Sequence, residues 1–226
     1  MKALIHIVPR SGTDVAFAAR FATLTAELRE QAEPRELAVN AMLRLEEDPF
    51  GAHAPYAAAL EITGAGSAPE PMAPLLSGLG AQLDAFAHPD ASTLLVGEDV
   101  VFVPSERTPV RYQYLMRRNG QFSHETYLKR YREIHSQFGL RTPGILGYVQ
   151  FHVDREASRQ LAATAALGVW GVDSVSELHL ESIETFIREI TGAQVGAEAI
   201  ADEEIFVDRA HSHDFCASVD WSPRFS

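Results

Sequence analysis

The sequence predicts an α+β protein built from two tandem β-α-β-β-α-β units whose antiparallel sheets pack face to face. The first observation is an internal repeat, because "GEDVVFVPSE" at 97–106 is matched in pattern by "ADEEIFVDRA" at 201–210. The second is an earlier pair, "ALIHIVPRSG" at 3–12 and "YQYLMRRNGQ" at 112–121. Both pairs are about 105 to 110 residues apart, which is the spacing that a duplicated unit requires.

The first unit is assigned to residues 1–107. It is predicted to contain strands at 2–8, 37–45, 56–62 and 98–104 and helices at 13–31 and 72–86. The opening segment "MKALIHIVPR" has one lysine before a short apolar run and no small-residue cleavage site. It is therefore interpreted as the first strand rather than as a signal peptide.

The second unit, residues 108–226, shows the same order more clearly. Residues 111–118 alternate as a strand, and "RNGQ" forms the turn that follows. Ser123 is the predicted N-cap of a helix with Glu125 in its first turn, where a carboxylate suits the helix dipole, and "RTPG" ends this helix after Leu140. The remaining predicted elements are strands at 145–153, 174–180 and 203–208 and a helix at 181–192.

A single unit of this kind covers only one face of its sheet with helices, and the other face must pack against another structural element. With two units in one chain, the open faces are expected to meet and close a barrel within the monomer. This arrangement predicts a cavity between the sheets, where a small molecule could bind. Closure within one chain removes the need for a dimer, and the sequence leaves open whether the protein also forms a homodimer.

The composition is that of an ordinary globular protein. The 226 residues are 46% hydrophobic and 22% charged, and apolar runs such as "LAATAALGVWGV" are too short for a membrane span. The net charge of −12 disfavours nucleic acid as a partner, because phosphate binding requires a concentrated basic surface. A single cysteine, Cys216, excludes an intramolecular disulfide and favours a cytoplasmic location.

Strand alternation predicts which side chains face the barrel interior, because residues two apart point the same way. In the strands at 145–153 and 174–180, the apolar side chains are assigned to the helix side and the alternate ones to the interior. The interior set comprises Tyr148, Gln150, His152, Glu177 and His179. Two histidines and a carboxylate in a partly dry pocket would suit acid/base chemistry. The alternative is an ordinary solvent-facing side of an antiparallel sheet.

The helix that starts at Ser123 places a histidine in its apolar stripe. Tyr127, Tyr131, His135 and Phe138 fall at spacings of four, four and three, on one helix face. A buried histidine needs hydrogen-bond partners, since an unsatisfied nitrogen costs about 1–3 kcal/mol. Periodicity alone leaves two interpretations open, a satisfied core histidine and a functional one.

The same residues resemble a known family. "RRNGQFSHETYLKRYREIHSQF" is similar to the signature of EthD-domain proteins, in which a strand ending in arginine leads through a serine cap into a helix with two aromatics and a histidine at four-residue spacings. Arg117, Tyr127, Tyr131 and His135 occupy those positions, with tyrosine where the second aromatic is usually tryptophan. The stretch "GVDSVSELHLESIETF" at 171–186 resembles the family's third strand and second helix. In the first unit Thr25 stands approximately where the histidine would fall, which predicts one active centre, in the second unit.

The resemblance implies ferredoxin-like units and the dimeric α+β barrel superfamily, which includes cofactor-independent monooxygenases, cyclases, isomerases and dehydratases. The expected function is a cofactor-independent lyase, cyclase or isomerase that acts on a hydrophobic carbonyl or aromatic compound by histidine acid/base chemistry. The alternative is a non-catalytic protein that binds a hydrophobic ligand or assists a degradation pathway. The expected catalytic residues are His135, Tyr131 and His179. The expected substrate-binding residues are Tyr114, Arg117, Tyr127, Tyr148, Gln150, His152, Trp170 and Glu177.

In this hypothesis His135 is the general base or acid, and His152 or His179 completes a proton relay with Glu177. No metal or cofactor is expected. The "HSHD" stretch at 211–214 could supply two imidazoles and a carboxylate, but such stretches are common without a metal. Haem would need a free axial histidine in an apolar cavity, for which His135 or His179 is the candidate. Trp170 is interpreted either as packing or as a lid over the cavity.

Overall fold

Eight antiparallel strands close into one barrel in the computed structural model, which describes residues 1–10, 14–50, 55–66 and 69–223. The strands of the first half are β1 (Lys2–Ile7), β2 (Leu37–Arg44), β3 (Ala58–Gly64) and β4 (Thr93–Val103). Those of the second half are β5 (Val110–Met116), β6 (Gly147–Asp154), β7 (Ser174–Leu180) and β8 (His213–Asp220). Their order around the barrel is β1-β3-β2-β8-β5-β7-β6-β4, and β4 pairs back to β1.

Both halves use the same strand order. The fourth strand of each half pairs with the first, the first with the third and the third with the second, which gives β4-β1-β3-β2 and β8-β5-β7-β6. Two seams join the halves, one between β4 and β6 and one between β2 and β8. The prediction that the barrel closes within a single chain is confirmed.

Helices cover the outside of the barrel. Over the first half lie α1 (Asp14–Ala32), the short helices α2 (Ala73–Leu76) and α3 (Leu79–Leu83), and α6 (Arg155–Ala165), which follows β6. Over the second half lie α4 (His124–Arg130), α5 (Ser136–Gly139), α7 (Ile183–Ile190) and α8 (Gln194–Phe206). A π-helical turn at Tyr131–His135 joins α4 to α5. Residue 13, where the first helix is predicted to start, lies outside the described residues.

The structure corrects one strand and one repeat. Residues 203–208, predicted as the last strand, form the end of α8 and the two residues after it, and the eighth strand is His213–Asp220 instead. The reason is that "VGAEAIADEEIF" is rich in helix-favouring alanine and glutamate, and its last residue, Phe206, is buried against Tyr127 and Tyr131. The segment at 201–210 is therefore not the counterpart of 97–106.

The barrel interior is filled by side chains, as eight-stranded barrels usually are. One end is apolar and contains Leu4, Leu95, Val153, Val175 and Phe215 among others. The other end holds five charged side chains, which we call the interior ion cluster: Lys2, Glu61, Asp99, Arg111 and Glu177. Within it the Lys2 Nζ lies 2.8 Å from Glu177 Oε2 and 2.7 Å from Asp99 Oδ1. Within the described ranges, none of the helices is both long and apolar enough to cross a membrane.

Candidate active site

A cavity of about 190 Å³ lies outside the barrel, between the sheet of the second half and its helices. Its floor is formed by Tyr112, Tyr114, Tyr148, Ser176 and Leu178, on the outer face of β5, β6 and β7. Its walls come from α5, α7, α8 and the β2–β3 connection and include His135, Phe138, Phe186, Ile200, Glu203 and Phe50. The cavity is therefore mostly apolar, with a few polar groups that converge on it, as ligand sites usually are.

His135 reaches this cavity from the end of the π-helical turn and is only 7% exposed. Its Nδ1 lies 3.0 Å from Asp202 Oδ2, so Nδ1 is assigned as the protonated nitrogen, because a carboxylate can only accept. Its Nε2 lies 3.8 Å from Glu203 Oε1, which is beyond hydrogen-bond distance. This leaves the lone pair of Nε2 available as a base. π-Helical turns are frequent at functional sites.

Asp202 is held between two donors, His135 and the guanidinium of Arg130. Burial alone would raise its pKa, but the hydrogen bonds from His135 and Arg130 outweigh burial, and the pKa of Asp202 lies below its ordinary value. The carboxylate thus stays ionised, which fixes the orientation of the imidazole and would stabilise its protonated form.

Glu203, next along α8, behaves in the opposite way. Burial raises its pKa above the ordinary value, although His135 and Arg209 oppose the effect. A carboxyl group whose pKa is raised by burial keeps its proton to a higher pH than an exposed glutamate does. The pKa values of the two neighbouring acids of α8 are therefore shifted in opposite directions, and Asp202 is the acid that orients the imidazole.

Tyr148 is the floor residue best placed to bind a substrate oxygen. Its hydroxyl accepts a hydrogen bond of 2.7 Å from Gln150 Nε2, which leaves its own proton free to donate. Gln150 is itself positioned by the main-chain oxygen of Tyr131, at 2.9 Å. Burial raises the pKa of Tyr148 to about 12, so the phenol remains a neutral donor. Tyr112, in contrast, donates its proton to Asp214.

Tyr127 and Tyr131 do not line the cavity, and both are fully buried. The Tyr127 hydroxyl is 2.7 Å from Ser174 Oγ. The Tyr131 hydroxyl approaches Ser176 and Tyr148 without a hydrogen bond of normal geometry. The aromatic pair therefore supports the helix that carries His135. Of the expected site residues, His135, Tyr114 and Tyr148 line this cavity.

The prediction of which side chains of β6 point into the barrel is wrong. Tyr148, Gln150 and His152 point toward the helices, and His152 packs on Tyr131 with ring centroids 5.7 Å apart. The physical reason is that the alternate set of this strand, including Phe151 and Val153, fills the apolar end of the barrel. A strand with apolar or aromatic residues on both faces does not reveal by alternation which face is inside.

His179 and Glu177 face the barrel interior, as predicted. Glu177 belongs to the interior ion cluster, and His179 Nδ1 lies 2.5 Å from Ser105 Oγ. These side chains are therefore on the opposite face of the sheet from His135. The predicted relay from His135 through His152 or His179 to Glu177 is not formed.

Arg117 and Trp170 are also away from this cavity. Arg117 is half exposed, and its Nε lies 3.9 Å from Asp208 Oδ2. Trp170 lies at the apolar end of the barrel, where it packs edge-on against His213 at 4.6 Å between ring centroids. Neither lines the wall around His135.

Candidate sites for a metal or haem are not supported by the geometry. The "HSHD" side chains turn to different partners, His211 to Asp208, His213 to Trp170 and Asp214 to Tyr112. The part of the chain that the structure describes contains no group of three metal-ligating side chains. A haem does not fit beside His135, because the cavity is smaller than the 300–1,000 Å³ typical of drug-sized ligands and a carboxylate faces Nε2.

Asp202 and Glu203 are candidate site residues that the sequence pattern does not indicate. Both lie in a stretch that was assigned to an acidic lead into a strand, whereas a helix there places Asp202 and Phe206 one turn apart. The signal that could have found them is the alanine and glutamate content of 194–206. In the first half, Thr25 is buried and donates its hydroxyl proton to the Phe21 carbonyl, beside a groove of about 130 Å³.

Comparison with solved structures finds proteins of similar fold. No protein-family model and no curated protein matches the sequence. An anthrone oxidase-like protein superposes with a TM-score of 0.63 at 10% identity, covering 99% of this chain and 93% of that one. A variant of chlorite dismutase from Candidatus Nitrospira defluvii gives 0.54 at 11% identity, covering 98% and 91%. A proposed monooxygenase from Lactobacillus acidophilus gives 0.52 at 8% identity, covering 98% and 94%. At these identities the likeness is that of the dimeric α+β barrel fold.

Proposed function

We propose that the protein is a small-molecule enzyme in which His135 removes and returns a proton on a hydrophobic carbonyl or aromatic compound. The expected outcome is a lyase, cyclase or isomerase reaction that needs no cofactor. The observation that carries this proposal is the contact of His135 Nδ1 with Asp202 Oδ2 at 3.0 Å, beside an apolar cavity. An orienting carboxylate on one imidazole nitrogen leaves the other free for proton transfer.

The chemistry follows from the groups around Nε2. A substrate bound in the cavity presents a C–H next to its carbonyl to His135 Nε2, which takes the proton and becomes an imidazolium. The electron pair of the C–H bond moves to the carbonyl oxygen, and Tyr148 donates a hydrogen bond to the enolate that forms. Return of the proton at another carbon gives an isomer. Alternatively, the enolate electron pair re-forms the carbonyl and expels the β-hydroxyl, which takes the proton from the His135 imidazolium and leaves as water, and this gives a dehydrated product. A positioned base contributes on the order of 10²- to 10⁴-fold in rate.

We also propose that the chain is an EthD-domain protein. Its two halves, 1–107 and 108–226, would then be tandem ferredoxin-like units. The repeated strand order of the halves supports this view. So does the serine cap, because Ser123 Oγ accepts a hydrogen bond from the Thr126 backbone at the start of α4. The likeness to an anthrone oxidase-like protein favours aryl ketones as the first compounds to test.

The test is hydrogen–deuterium exchange at the carbon next to the carbonyl, followed by proton NMR in D₂O with a panel of bicyclic and tricyclic hydroxylated aryl ketones. The parent protein should accelerate exchange for at least one compound, and H135A should abolish the acceleration while its Tm stays within a few degrees. H88A, which changes an exposed histidine, is the matched control and should behave like the parent. Parallel runs with and without dioxygen separate isomerisation or dehydration from oxygenation.

Exchange that is unchanged in H135A would contradict the proposal. The alternative, a non-catalytic carrier of a hydrophobic ligand, predicts saturable binding of a panel compound with no accelerated exchange. Equal loss of exchange and of Tm in H135A would instead assign His135 to the core.

A further inference from the structure

A second cavity, of about 180 Å³, opens at the apolar end of the barrel. Its floor is formed by Leu95, Val153 and Val172, which belong to the apolar cluster inside the barrel. Its wall is formed by the start of α6 and by residues 169–171. The cavity around His135 lies on the other face of the sheet, so the two cavities are separate.

The wall that contains Trp170 is fixed by main-chain contacts. Leu94 N donates to the Gly168 carbonyl at 3.1 Å, and Trp170 N donates to Thr93 Oγ1 at 2.8 Å. Gly168 has to be glycine here, because a Cβ would lie 2.3 Å from the Asp90 carbonyl oxygen. The indole also packs on His213 and Tyr56. Trp170 is thus a preformed side of the cavity, which reduces the entropy cost of binding.

The other side of the cavity carries positive charge. Arg155, at the start of α6, forms no ion pair and no side-chain hydrogen bond with the residues that the structure describes. Arg159, one turn further along α6, pairs with Glu156, and both of these side chains are more than half exposed. Arg155 is exposed to solvent at the rim of the cavity, so its guanidinium is free to contact a bound ligand. Guanidinium groups bind carboxylates through two parallel hydrogen bonds.

We propose that this cavity binds a small amphipathic carboxylate, an aryl or alkyl carboxylic acid, independently of the chemistry at His135. The apolar part of the ligand lies on Trp170, Leu95 and Val172, and its carboxylate binds Arg155. The combination of a rigid aromatic wall, an apolar floor and an arginine at the rim favours this class over neutral apolar compounds, because a carboxylate adds a charge-assisted contact with Arg155 that a neutral compound cannot make.

The fluorescence of Trp170 reports on the site directly. The protein is titrated with phenylacetate and octanoate, and with phenylethanol and octanol as uncharged counterparts. We expect a saturable change with the carboxylates and at least tenfold weaker binding of the alcohols. W170F should abolish the change, because the second tryptophan, Trp221, packs on Arg107 and Arg111 at the other end of the barrel.

R155M should remove the preference for carboxylates, whereas R20M, which changes an exposed arginine on α1, should retain it. Equal binding of acids and alcohols, an unchanged preference in R155M, or no saturable change with any of the four compounds would overturn the proposal. H135A should bind these acids like the parent, so the outcome is independent of the exchange experiment at the other cavity.

Discussion

At His135, the position of one proton decides which nitrogen can act as a base. Asp202 accepts from Nδ1 and so directs the lone pair of Nε2 toward the cavity. The same carboxylate would lower the energy of the imidazolium that forms after proton transfer. Arg130 holds the second oxygen of Asp202 and keeps the carboxylate in place. Orientation and charge stabilisation therefore come from one side chain.

We expect D202N to slow the proposed exchange reaction by roughly 10²-fold, within the range that a positioned base contributes. The amide keeps the size of the side chain but loses its charge, and its NH₂ can donate to Nδ1 and reverse the tautomer. The measurements are the pH dependence of exchange and the nitrogen NMR shifts of His135, neither of which a purely structural role of Asp202 would change. Exchange and shifts identical to those of the parent would contradict this assignment.

The sequence predicted His135 but not its partners, for a physical reason. His135 stands out in a helical stripe of aromatic residues, which is a local pattern. Asp202 is 67 residues away along the chain, and the contact depends on how α8 packs on α5 and on the π-helical turn. For Tyr148, alternation correctly grouped the residue with Gln150 and His152 but did not distinguish the two faces of the strand. Packing between segments that are distant in sequence determines both the partner of His135 and the face of β6 that points into the barrel.

At the scale of elements, α5 approaches β6 closely enough to exclude a side chain at one position. A Cβ on Gly139 would lie 2.3 Å from Cε1 of the Tyr148 ring. The glycine therefore lets the helix that follows His135 lie directly over the cavity floor. The depth of the cavity depends on this contact between one helix and one strand.

We expect G139A to destabilise the protein by about 1–3 kcal/mol, because the added methyl forces either the Tyr148 ring or α5 to move. Urea unfolding followed by circular dichroism measures the change. G120A is the matched control, since nothing lies within 4 Å of a Cβ at that position, and it should leave the free energy of unfolding nearly unchanged. A G139A variant as stable as the parent would contradict this expectation, because it would show that α5 or the Tyr148 ring can move without loss of stability.

Among the elements, those with strong local signals were predicted well. The strand at 174–180 has the predicted bounds, and Ser123 caps its helix as expected. The helix predicted at 72–86 is split into α2 and α3, because the backbone takes a left-handed conformation at Gly78, with a φ of 78°. The helix Arg155–Ala165 was not predicted at all, although Asp154 accepts hydrogen bonds from two main-chain N–H groups at its start. Its apolar face packs against the core of the first half of the chain. The sequence pattern of the second half alone does not reveal this contact.

At the scale of the whole molecule, the interior ion cluster ties the two halves together. Lys2 belongs to β1, and its partner Glu177 belongs to β7 on the far half of the barrel. Arg111 contacts both Glu177, at 3.1 Å, and Glu61 of the first half, at 3.3 Å. Burial raises the pKa of Glu177, but Lys2 and Arg111 outweigh this effect and hold it at about 2. Each cation thus compensates carboxylates from both halves.

We expect K2M to destabilise the protein by about 3–5 kcal/mol, because it leaves buried carboxylates without their cation. The double variant K2M/E177Q should recover part of this loss, since it also removes one of the carboxylates. R188M, which breaks an exposed contact with Glu189, should change stability by less than about 1 kcal/mol. Urea unfolding of the four proteins forms the comparison. A K2M effect as small as that of R188M would contradict the argument.

Acid should destabilise the protein in two steps. Burial lowers the pKa of His6, His152 and His179 to about 4, from about 6.5 in the unfolded chain. Between these values the unfolded state binds protons that the folded state does not, so the free energy of unfolding falls as pH drops from 6.5 to 4. The stabilising contribution of Glu177, present above about pH 4.5, is then lost as pH falls toward 2. Urea unfolding at a series of pH values should show both steps, and H6Q should flatten the first. A parent protein equally stable at pH 6.5 and pH 4 would contradict this assignment.

Closure of the barrel also has a consequence for the order of folding. The β2–β8 seam pairs Ala41 with Asp220, so it joins parts of the chain that are far apart in sequence and forms slowly. Each half can form its own four-stranded sheet earlier from closer segments. Until the seams close, β2, β4, β6 and β8 present free edges that can pair with other chains. The native barrel covers these edges, so we place the risk of aggregation in the time between sheet formation and closure.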